Sequence, residues 1–300
     1  MKLVRISDVY GSIRGSCFND CIATCATDLN AHYQLMYLGA LTFKEEKKDS
    51  NKLFWERLLF SNNALSNLCD YHGIKLIEEA SLSKLSLDCS KNLKSIIELR
   101  AFYCPWDEGY RNPQGGTHCL ICVDYIADNF QCCDPFYGII NGIINNKEMS
   151  FGYCRHFRVE YSSPHKVLTK DAMMNDILGS ISCLSKLVNE FKNNNDSFVV
   201  YERTMISKFN EIICDISNRT ALYCLLLHYC NVWLQLFNKP VDLLLKELYQ
   251  LYRKWVEIYL KIERFDVQII FRDFPIDLGK QIENILSEET RILSGIYAAI

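Results

Sequence analysis

The chain has 300 residues, of which 49% are hydrophobic and 23% are charged, and its formal net charge at pH 7 is -3. This composition is ordinary for a globular protein that buries a proper core in one large domain or two smaller ones. A nearly neutral charge excludes a general electrostatic attraction to nucleic acid or to an acidic membrane surface. The N-terminal residues lack the apolar run of a signal peptide, and no stretch has the ~18 consecutive apolar residues of a membrane span. We therefore expect a soluble, cytoplasmic protein.

Cysteine is unusually abundant, with fifteen residues. The number is odd and the chain is too long to be a small disulfide scaffold, so we expect mostly reduced thiols that are buried as small apolar residues. Zinc is an alternative, with Cys119 and Cys122 joined by Cys132 and Cys133. It is disfavoured because residues three apart on a strand point to opposite faces, and a knuckle glycine is absent.

The first predicted helix follows a turn-rich stretch, residues 11–20. Asn19 or Asp20 is the predicted N-cap, because apolar residues recur at helical spacing from there on. Those apolar residues are Ile22, Ala26, Leu29 and Tyr33. This start would place Cys21 in the first turn, where free N–H groups and the positive end of the helix dipole favour thiolate over thiol.

Two other interpretations of this helix stay open. Cys17 lies one loop earlier in the chain and is the competing nucleophile. Cys17, Cys21 and Cys25 are also spaced by four residues, so all three could form a buried apolar stripe with no chemical role.

Short elements are predicted in the next part of the chain, namely a helix at 62–72 closed by Gly73, a strand at 74–77, a helix at 91–99 and a strand at 101–104. An aromatic loop, 105–110, then leads into His118. Its aromatic residues Trp106 and Tyr110 either line the cleft that His118 faces or anchor the loop.

Residues 117–134 predict a β-hairpin with a turn at 127–129. His118 begins the first strand and Asp134 ends the second. Because these ends are neighbours in an antiparallel pair, the carboxylate can bind one imidazole nitrogen and fix the tautomer of the ring. A histidine oriented in this way is half of a nucleophilic site, and Cys21 is the predicted other half.

A strand at 155–162 is predicted to close the first domain, and residues 162–165 to mark its boundary. Beyond residue 166 the apolar period becomes helical, in segments 168–191, 198–236, 241–265 and 278–300. The predicted class is α+β. A catalytic domain, 1–163, with an N-terminal helix packed on an antiparallel sheet, is followed by an all-helical subdomain, 164–300.

A Cys at the start of the first helix, a His that opens a strand, and the pair Asp134-Pro135 after the next strand resemble the papain-like cysteine peptidase fold. The bacteriocin-processing (double-glycine leader) peptidases are the most similar branch. A narrower resemblance, over residues 1–160, is to the butirosin-biosynthesis acyltransferase family. The matching elements are residues 20–24, 33–43, 106–110 and 118–125, with Asp134.

The narrower resemblance implies a cysteine-dependent acyltransferase of antibiotic biosynthesis, which takes an acyl group from a carrier-protein thioester and passes it to an amine. On that pattern Cys21 is the nucleophile, His118 the base and Asp134 the residue that orients the base. The implied partners are an acyl- or peptidyl-carrier protein and a small amine, without nucleic acid or membrane. No metal or organic cofactor is implied beyond the phosphopantetheine arm of the donor.

The chain departs from the peptidase pattern at the oxyanion hole. The peptidases carry a Gln six residues before the nucleophile, whereas Gly15 stands six before Cys21 and Gly11 six before Cys17. Backbone N–H groups, such as that of Cys21, or a side chain such as that of Asn19 must then bind the oxyanion. The loss of Gln argues against peptide hydrolysis, because amides need more oxyanion stabilisation than thioesters. A papain-like peptidase or amidase, and an inactive binding protein of the same fold, are the alternatives.

Overall fold

The structure is a computed structural model that describes residues 2–6, 16–45, 58–193, 203–268 and 276–300. It divides into two compact units. The first unit comprises Met1–Met36 and Leu65–Val167, and the second comprises Tyr37–Ala64 and Leu168–Ile300. The second unit therefore takes up a segment from the N-terminal half of the chain, which the sequence did not suggest.

The elements of the described residues are numbered in chain order. The helices are α1 (Cys17–Asp28), α2 (Ala64–His72), α3 (Leu82–Ser90), α4 (Asn146–Gly152), α5 (Lys170–Asn193), α6 (Arg203–Val232), α7 (Asp242–Gln268) and α8 (Ile276–Tyr297). The strands are β1 (Phe43–Glu45), β2 (Leu58–Phe60), β3 (Ile74–Glu79), β4 (Ser95–Arg100), β5 (Thr117–Ile126), β6 (Asn129–Asp134), β7 (Ile139–Asn145) and β8 (Tyr153–Tyr161). The fold is therefore mixed α+β.

The first unit is organised around an antiparallel sheet, which among the described residues has six strands in the order β3-β8-β4-β5-β6-β7. The predicted hairpin is confirmed as β5 and β6, which meet at the pair Ile126 and Asn129. Ala127 and Asp128 between them have φ of 48° and 62°. Two successive residues in the left-handed region form the type I′ turn, whose twist matches that of the flanking strands.

The core of the first unit lies between this sheet and the helices α3 and α4. Its fully buried side chains are Leu85, Cys89, Ile97, Leu99, Cys104, Leu120, Cys122, Phe130, Cys132, Ile144 and Met149. Burial of a large apolar side chain stabilises the fold by about 1.5–3 kcal/mol. Four cysteines in this set act as small apolar residues, which is the role predicted for most cysteines of the chain.

The prediction of a helix at 91–99 is wrong, because residues 95–100 form β4 and the helix of this region is α3, earlier in the chain. β4 lies inside the sheet between β8 and β5, so both of its edges are paired. Its consecutive residues Ser95, Ile96 and Ile97 are all buried, so both of its faces are covered as well. A strand buried on both faces is apolar without alternation, and its periodicity cannot be told from that of a short buried helix. The predicted strand at 101–104 is likewise a 3-10 turn, Ala101–Tyr103.

The predicted start of the first helix is also wrong. Helix α1 begins at Cys17 with Ser16 as its N-cap. Asp20, one of the two predicted caps, is buried and accepts a hydrogen bond from the main-chain N–H of Ile6 at 2.8 Å. Because this carboxylate binds the preceding segment instead of capping a helix, the helix runs on past it. Cys17, and not Cys21, occupies the first turn.

The second unit contains the four predicted C-terminal helices, α5 to α8, together with the strand pair β1 and β2. Arg219 of α6 ties the strand pair to the helices, since its guanidinium donates to the carbonyl oxygens of Ala40 at 3.1 Å and Ser61 at 3.2 Å. No helix within the described ranges combines the length and apolarity that crossing a membrane requires.

Glu289 of α8 is a completely buried carboxyl group in the second unit. It accepts hydrogen bonds from the Thr220 hydroxyl at 2.8 Å and from the Trp255 indole N–H at 3.3 Å. Burial raises the pKa of Glu289 from its ordinary value of 4.5 to about 7, and these two hydrogen bonds only partly oppose that shift. The folded protein therefore binds this proton more tightly than the unfolded chain.

This difference predicts a pH-dependent contribution to stability. The contribution is fully present below pH 4.5 and is lost as the pH rises to about 7. Glu289→Gln has no proton to lose. The melting temperature of this variant relative to that of the wild type should therefore rise as the pH is raised from 5 to 7.5, as measured by circular dichroism. A constant difference between the two proteins over this range would show that Glu289 does not titrate in the folded state.

Candidate active site

The centre of the candidate site is the pair formed by His118 and Asp134. The Nε2 atom of His118 lies 2.6 Å from Oδ2 of Asp134, and both residues are buried. The hairpin thus brings together the two residues that the sequence pairs. An ionised carboxylate can only accept hydrogen bonds, so Nε2 carries the hydrogen and Nδ1 is the nitrogen available to a nucleophile.

Asp134 is fixed by two further donors. The indole N–H of Trp106 donates to Oδ2 of Asp134 at 2.6 Å, and the main-chain N–H of Tyr137 donates to Oδ1 at 3.3 Å. The sequence placed Trp106 in an aromatic loop before His118 but did not predict that it binds the carboxylate. No local pattern carries that information, because 28 residues separate the two partners.

The same aromatic loop is anchored through Tyr110. Its hydroxyl donates to Oε1 of Glu148 at 3.1 Å, and Arg111 donates to the same oxygen at 2.9 Å. The Arg111 guanidinium also stacks over the Tyr110 ring, with 4.6 Å between the guanidinium carbon and the ring centroid. Of the two roles considered for Tyr110, these contacts support loop anchoring.

Cys17 is the thiol that lies beside His118. It is half-buried at the start of α1, and its Sγ accepts a hydrogen bond from the main-chain N–H of Cys119 at 3.2 Å. The pKa of Cys17 is lowered to about 4. The largest cause is a hydrogen bond with the Cys119 thiol; burial opposes the shift, and the hydrogen bond and positive charge of His118 add to it. A thiol in this setting is held as the thiolate.

The pKa of the His118 imidazole is shifted in the opposite direction, upwards. Burial by itself lowers the pKa of His118, but the hydrogen bonds and negative charges of Asp134 and Cys17 outweigh burial and raise it to about 10. At neutral pH the resting site is thus a thiolate–imidazolium pair. This is the state in which a cysteine nucleophile is already deprotonated.

The thiol of Cys21, the predicted nucleophile, is not accessible. It has no solvent exposure. Burial raises its pKa well above the ordinary value, and the nearby Cys25 and Asp134 raise it further. Cys25 is also buried, with a pKa raised to about 12 mainly by burial. The apolar-stripe interpretation therefore describes Cys21 and Cys25, and the competing candidate Cys17 takes the position beside the histidine.

The cysteines of the zinc alternative point in different directions. Cys119 contacts Cys17, whereas Cys122 packs in the core, 3.1 Å from the sulfur of Cys89. Nowhere in the described parts of the chain do three or more His, Cys, Asp or Glu side chains form a group that could hold a metal ion. Gly11 and Gly15, at the two possible positions of the missing Gln, lie outside the described residues.

No protein-family model matches this chain, and no curated protein is significantly similar to it. The chemical interpretation of the site rests on the arrangement of Cys17, His118 and Asp134. The resemblance noted in the sequence supplies only a hypothesis about which substrates this arrangement serves.

The pKa shift of Cys17 predicts an unusual alkylation profile. Iodoacetamide should modify Cys17 nearly as fast at pH 6 as at pH 8, because the thiolate persists down to about pH 4. An ordinary thiol slows roughly tenfold per pH unit below ~8.5. Peptide mapping by mass spectrometry should find this label lost in Cys17→Ser and kept in Cys21→Ala. In Cys119→Ala the labelling of Cys17 at pH 6 should slow, since the largest cause of the lowered Cys17 pKa is removed.

Labelling at pH 6 that survives in Cys17→Ser would contradict this assignment. So would a Cys119→Ala protein with the wild-type pH profile.

A second prediction concerns the support of Asp134. Gly142 of β7 faces Trp106, and a Cβ atom there would overlap the indole ring. Gly142→Ala should displace Trp106 and weaken its hydrogen bond to Asp134, at a cost of about 1–3 kcal/mol in the free energy of unfolding. Gly116→Ala is the matched control, because a Cβ atom there meets open space. Urea unfolding of the two variants measures the difference, and equal stability of both would contradict it.

Proposed function

We propose that this protein is a papain-like, cysteine-dependent acyltransferase that moves an acyl group from a carrier-protein thioester to an amine. The observation that supports it is the arrangement of a low-pKa Cys17 at a helix start, a His118 imidazole beside it, and a buried Asp134 behind that imidazole. This is the constellation of a nucleophile, a base and the group that orients the base. Cys17 takes the role of nucleophile that the sequence assigned to Cys21, and His118 and Asp134 keep their predicted roles.

In the first half-reaction the Cys17 thiolate attacks the carbonyl carbon of the donor thioester. The carbon–sulfur bond to the donor breaks, and the departing thiol takes the proton from Nδ1 of His118. The products are an acyl-Cys17 thioester, a neutral imidazole and a free thiol on the donor. One thioester replaces another, so this step is nearly neutral in free energy.

In the second half-reaction an amine attacks the acyl-Cys17 carbonyl. His118 accepts a proton from the amine nitrogen at Nδ1, and the Cys17 thiolate leaves. The thiolate–imidazolium pair is thereby restored, and the product is an amide. Because an amide is more stable than a thioester, the overall transfer runs downhill without ATP, metal or organic cofactor.

The oxyanion formed in both half-reactions needs hydrogen-bond donors near Cys17. The first main-chain N–H groups of a helix have no partner within the helix. In the part of the chain that the structure describes, the N-cap Ser16 makes no side-chain hydrogen bond to α1. The N–H groups at the start of α1 are therefore donors that a side-chain cap does not occupy, next to the nucleophilic sulfur. Backbone donors of this kind serve as oxyanion holes.

The choice of thioester and amine as substrates comes from the resemblance of residues 1–160 to the butirosin-biosynthesis acyltransferases. It agrees with the glycines at positions 11 and 15, which carry no side chain to replace the oxyanion Gln of the peptidases. A thioester carbonyl, being more reactive than an amide, makes a smaller demand on oxyanion stabilisation.

The proposal predicts a covalent intermediate. Intact-protein mass spectrometry should show a single acetyl adduct after the protein is mixed with an acyl-carrier protein loaded with an acetyl group. The adduct should be absent from Cys17→Ala and present in Cys21→Ala, and should form at least a hundredfold more slowly in His118→Ala because the leaving thiol then lacks its proton donor. Circular dichroism of each variant provides the folding control.

Other results would redirect the assignment. An adduct that disappears only in Cys21→Ala would return the nucleophile to the interior of α1. Cleavage of peptides or simple amides without any acyl adduct from the carrier protein would favour a papain-like peptidase or amidase. If neither an adduct nor cleavage is observed, the result would favour a binding protein that retains the fold.

A further inference from the structure

A second carboxylate, Asp107, approaches the same imidazole from the side opposite Asp134. Its Oδ2 atom lies 3.5 Å from Nδ1 of His118, whereas Asp134 holds Nε2. Asp107 is held in place by the main-chain N–H of Gly109, which donates to Oδ1 at 2.6 Å. The side chain keeps 10% exposure, so it is almost buried and still reachable.

The proposed reaction leaves this carboxylate without a counter-charge at one stage only. In the resting site the imidazolium neutralises part of the negative charge around it. After Cys17 is acylated, the imidazole is neutral and the sulfur carries no charge. Asp107 is then the negative group on the Nδ1 side of the ring, at the moment when the acceptor enters, and a carboxylate in such a poorly hydrated position attracts a cation.

We infer that Asp107 selects acceptors that arrive as protonated amines and takes the first of the two protons that the amine must lose. This inference rests on the proposed function. An amine nitrogen that delivers a proton to Nδ1 must lie within about 3 Å of that atom. Since Oδ2 of Asp107 is 3.5 Å from the same atom, the ammonium group and the carboxylate are neighbours.

The protons balance with these residues alone. An alkylammonium ion carries three N–H protons and the amide product retains one. Asp107 accepts one proton and releases it to water, which frees the lone pair for attack on acyl-Cys17. Nδ1 of His118 accepts the other as the carbon–sulfur bond breaks, and the thiolate–imidazolium pair returns. An aliphatic amine with a pKa of ~10 is almost entirely protonated at pH 7, so it must lose this first proton before it can attack. A weakly basic amine is already neutral at pH 7 and does not need this step.

The test compares two amines on the preformed acetyl-enzyme of the full chain. Butylamine is a cation at pH 7, and O-methylhydroxylamine is neutral there. Asp107→Asn keeps the Oδ1 acceptor for Gly109 and removes the charge. We expect it to lose roughly ten- to a hundredfold in the rate at which butylamine discharges the acetyl-enzyme, with a change of less than about twofold for O-methylhydroxylamine.

Glu108→Gln is the matched control, because it removes a negative charge from the neighbouring, exposed residue of the same loop. It should change neither rate by more than about twofold. A measurement on the wild type is independent of the folding of any variant: tetramethylammonium chloride, compared with sodium chloride at equal concentration, should slow discharge by butylamine more strongly than discharge by O-methylhydroxylamine.

The outcomes separate this inference from the function on which it rests. If the acetyl-enzyme forms normally in Asp107→Asn and only butylamine loses rate, the inference is supported. Equal losses with both amines, an equal loss in Glu108→Gln, or a wild-type acetyl-enzyme that butylamine does not discharge would each overturn it while the acylation chemistry stands. Failure of the wild type to form an acetyl-enzyme would overturn the proposed function and this inference together.

Discussion

The hydrogen bond between Nε2 of His118 and Oδ2 of Asp134 sets the geometry of the whole site. It decides which ring nitrogen is left for the thiol, and therefore on which side of the ring chemistry can occur. The bond is buried and short, and Trp106 donates to the same oxygen, so the ring has little freedom to turn. A nucleophile placed on the opposite side of the imidazole benefits from an orientation that the sheet has already fixed.

The imidazole is surrounded asymmetrically by charge. Asp134 is completely buried and bound by three donors, which suits a permanent structural partner. Asp107 is partly exposed and lies farther from the ring, beside Nδ1, the nitrogen that Asp134 does not bind. Two carboxylates of the same chemical type therefore play different parts, because one is saturated with hydrogen bonds inside the protein and the other retains access to an incoming group.

Position, and not composition, distinguishes the candidate nucleophile among fifteen cysteines. Most of the buried thiols have raised pKa values because the charged form is poorly solvated, as for Cys21 and Cys25 inside α1. Cys17 begins the same helix, where an imidazolium and two donors from Cys119 stabilise the thiolate. One helical turn separates a reactive thiol from an inert one.

The sequence by itself determined the features that depend on neighbours along the chain. The β-favouring residues of β5 and β6 and the turn between them placed His118 next to Asp134, and the 3.6-residue period identified α5 to α8. Tertiary structure decided the rest. β4 became a strand because two other strands pair with it, and α1 began at Cys17 because Asp20 binds Ile6 instead of capping a helix. Trp106 and Asp107 reached the site through contacts with distant residues. Such contacts leave no periodic trace in the sequence, because their energy depends on segments that only folding brings together.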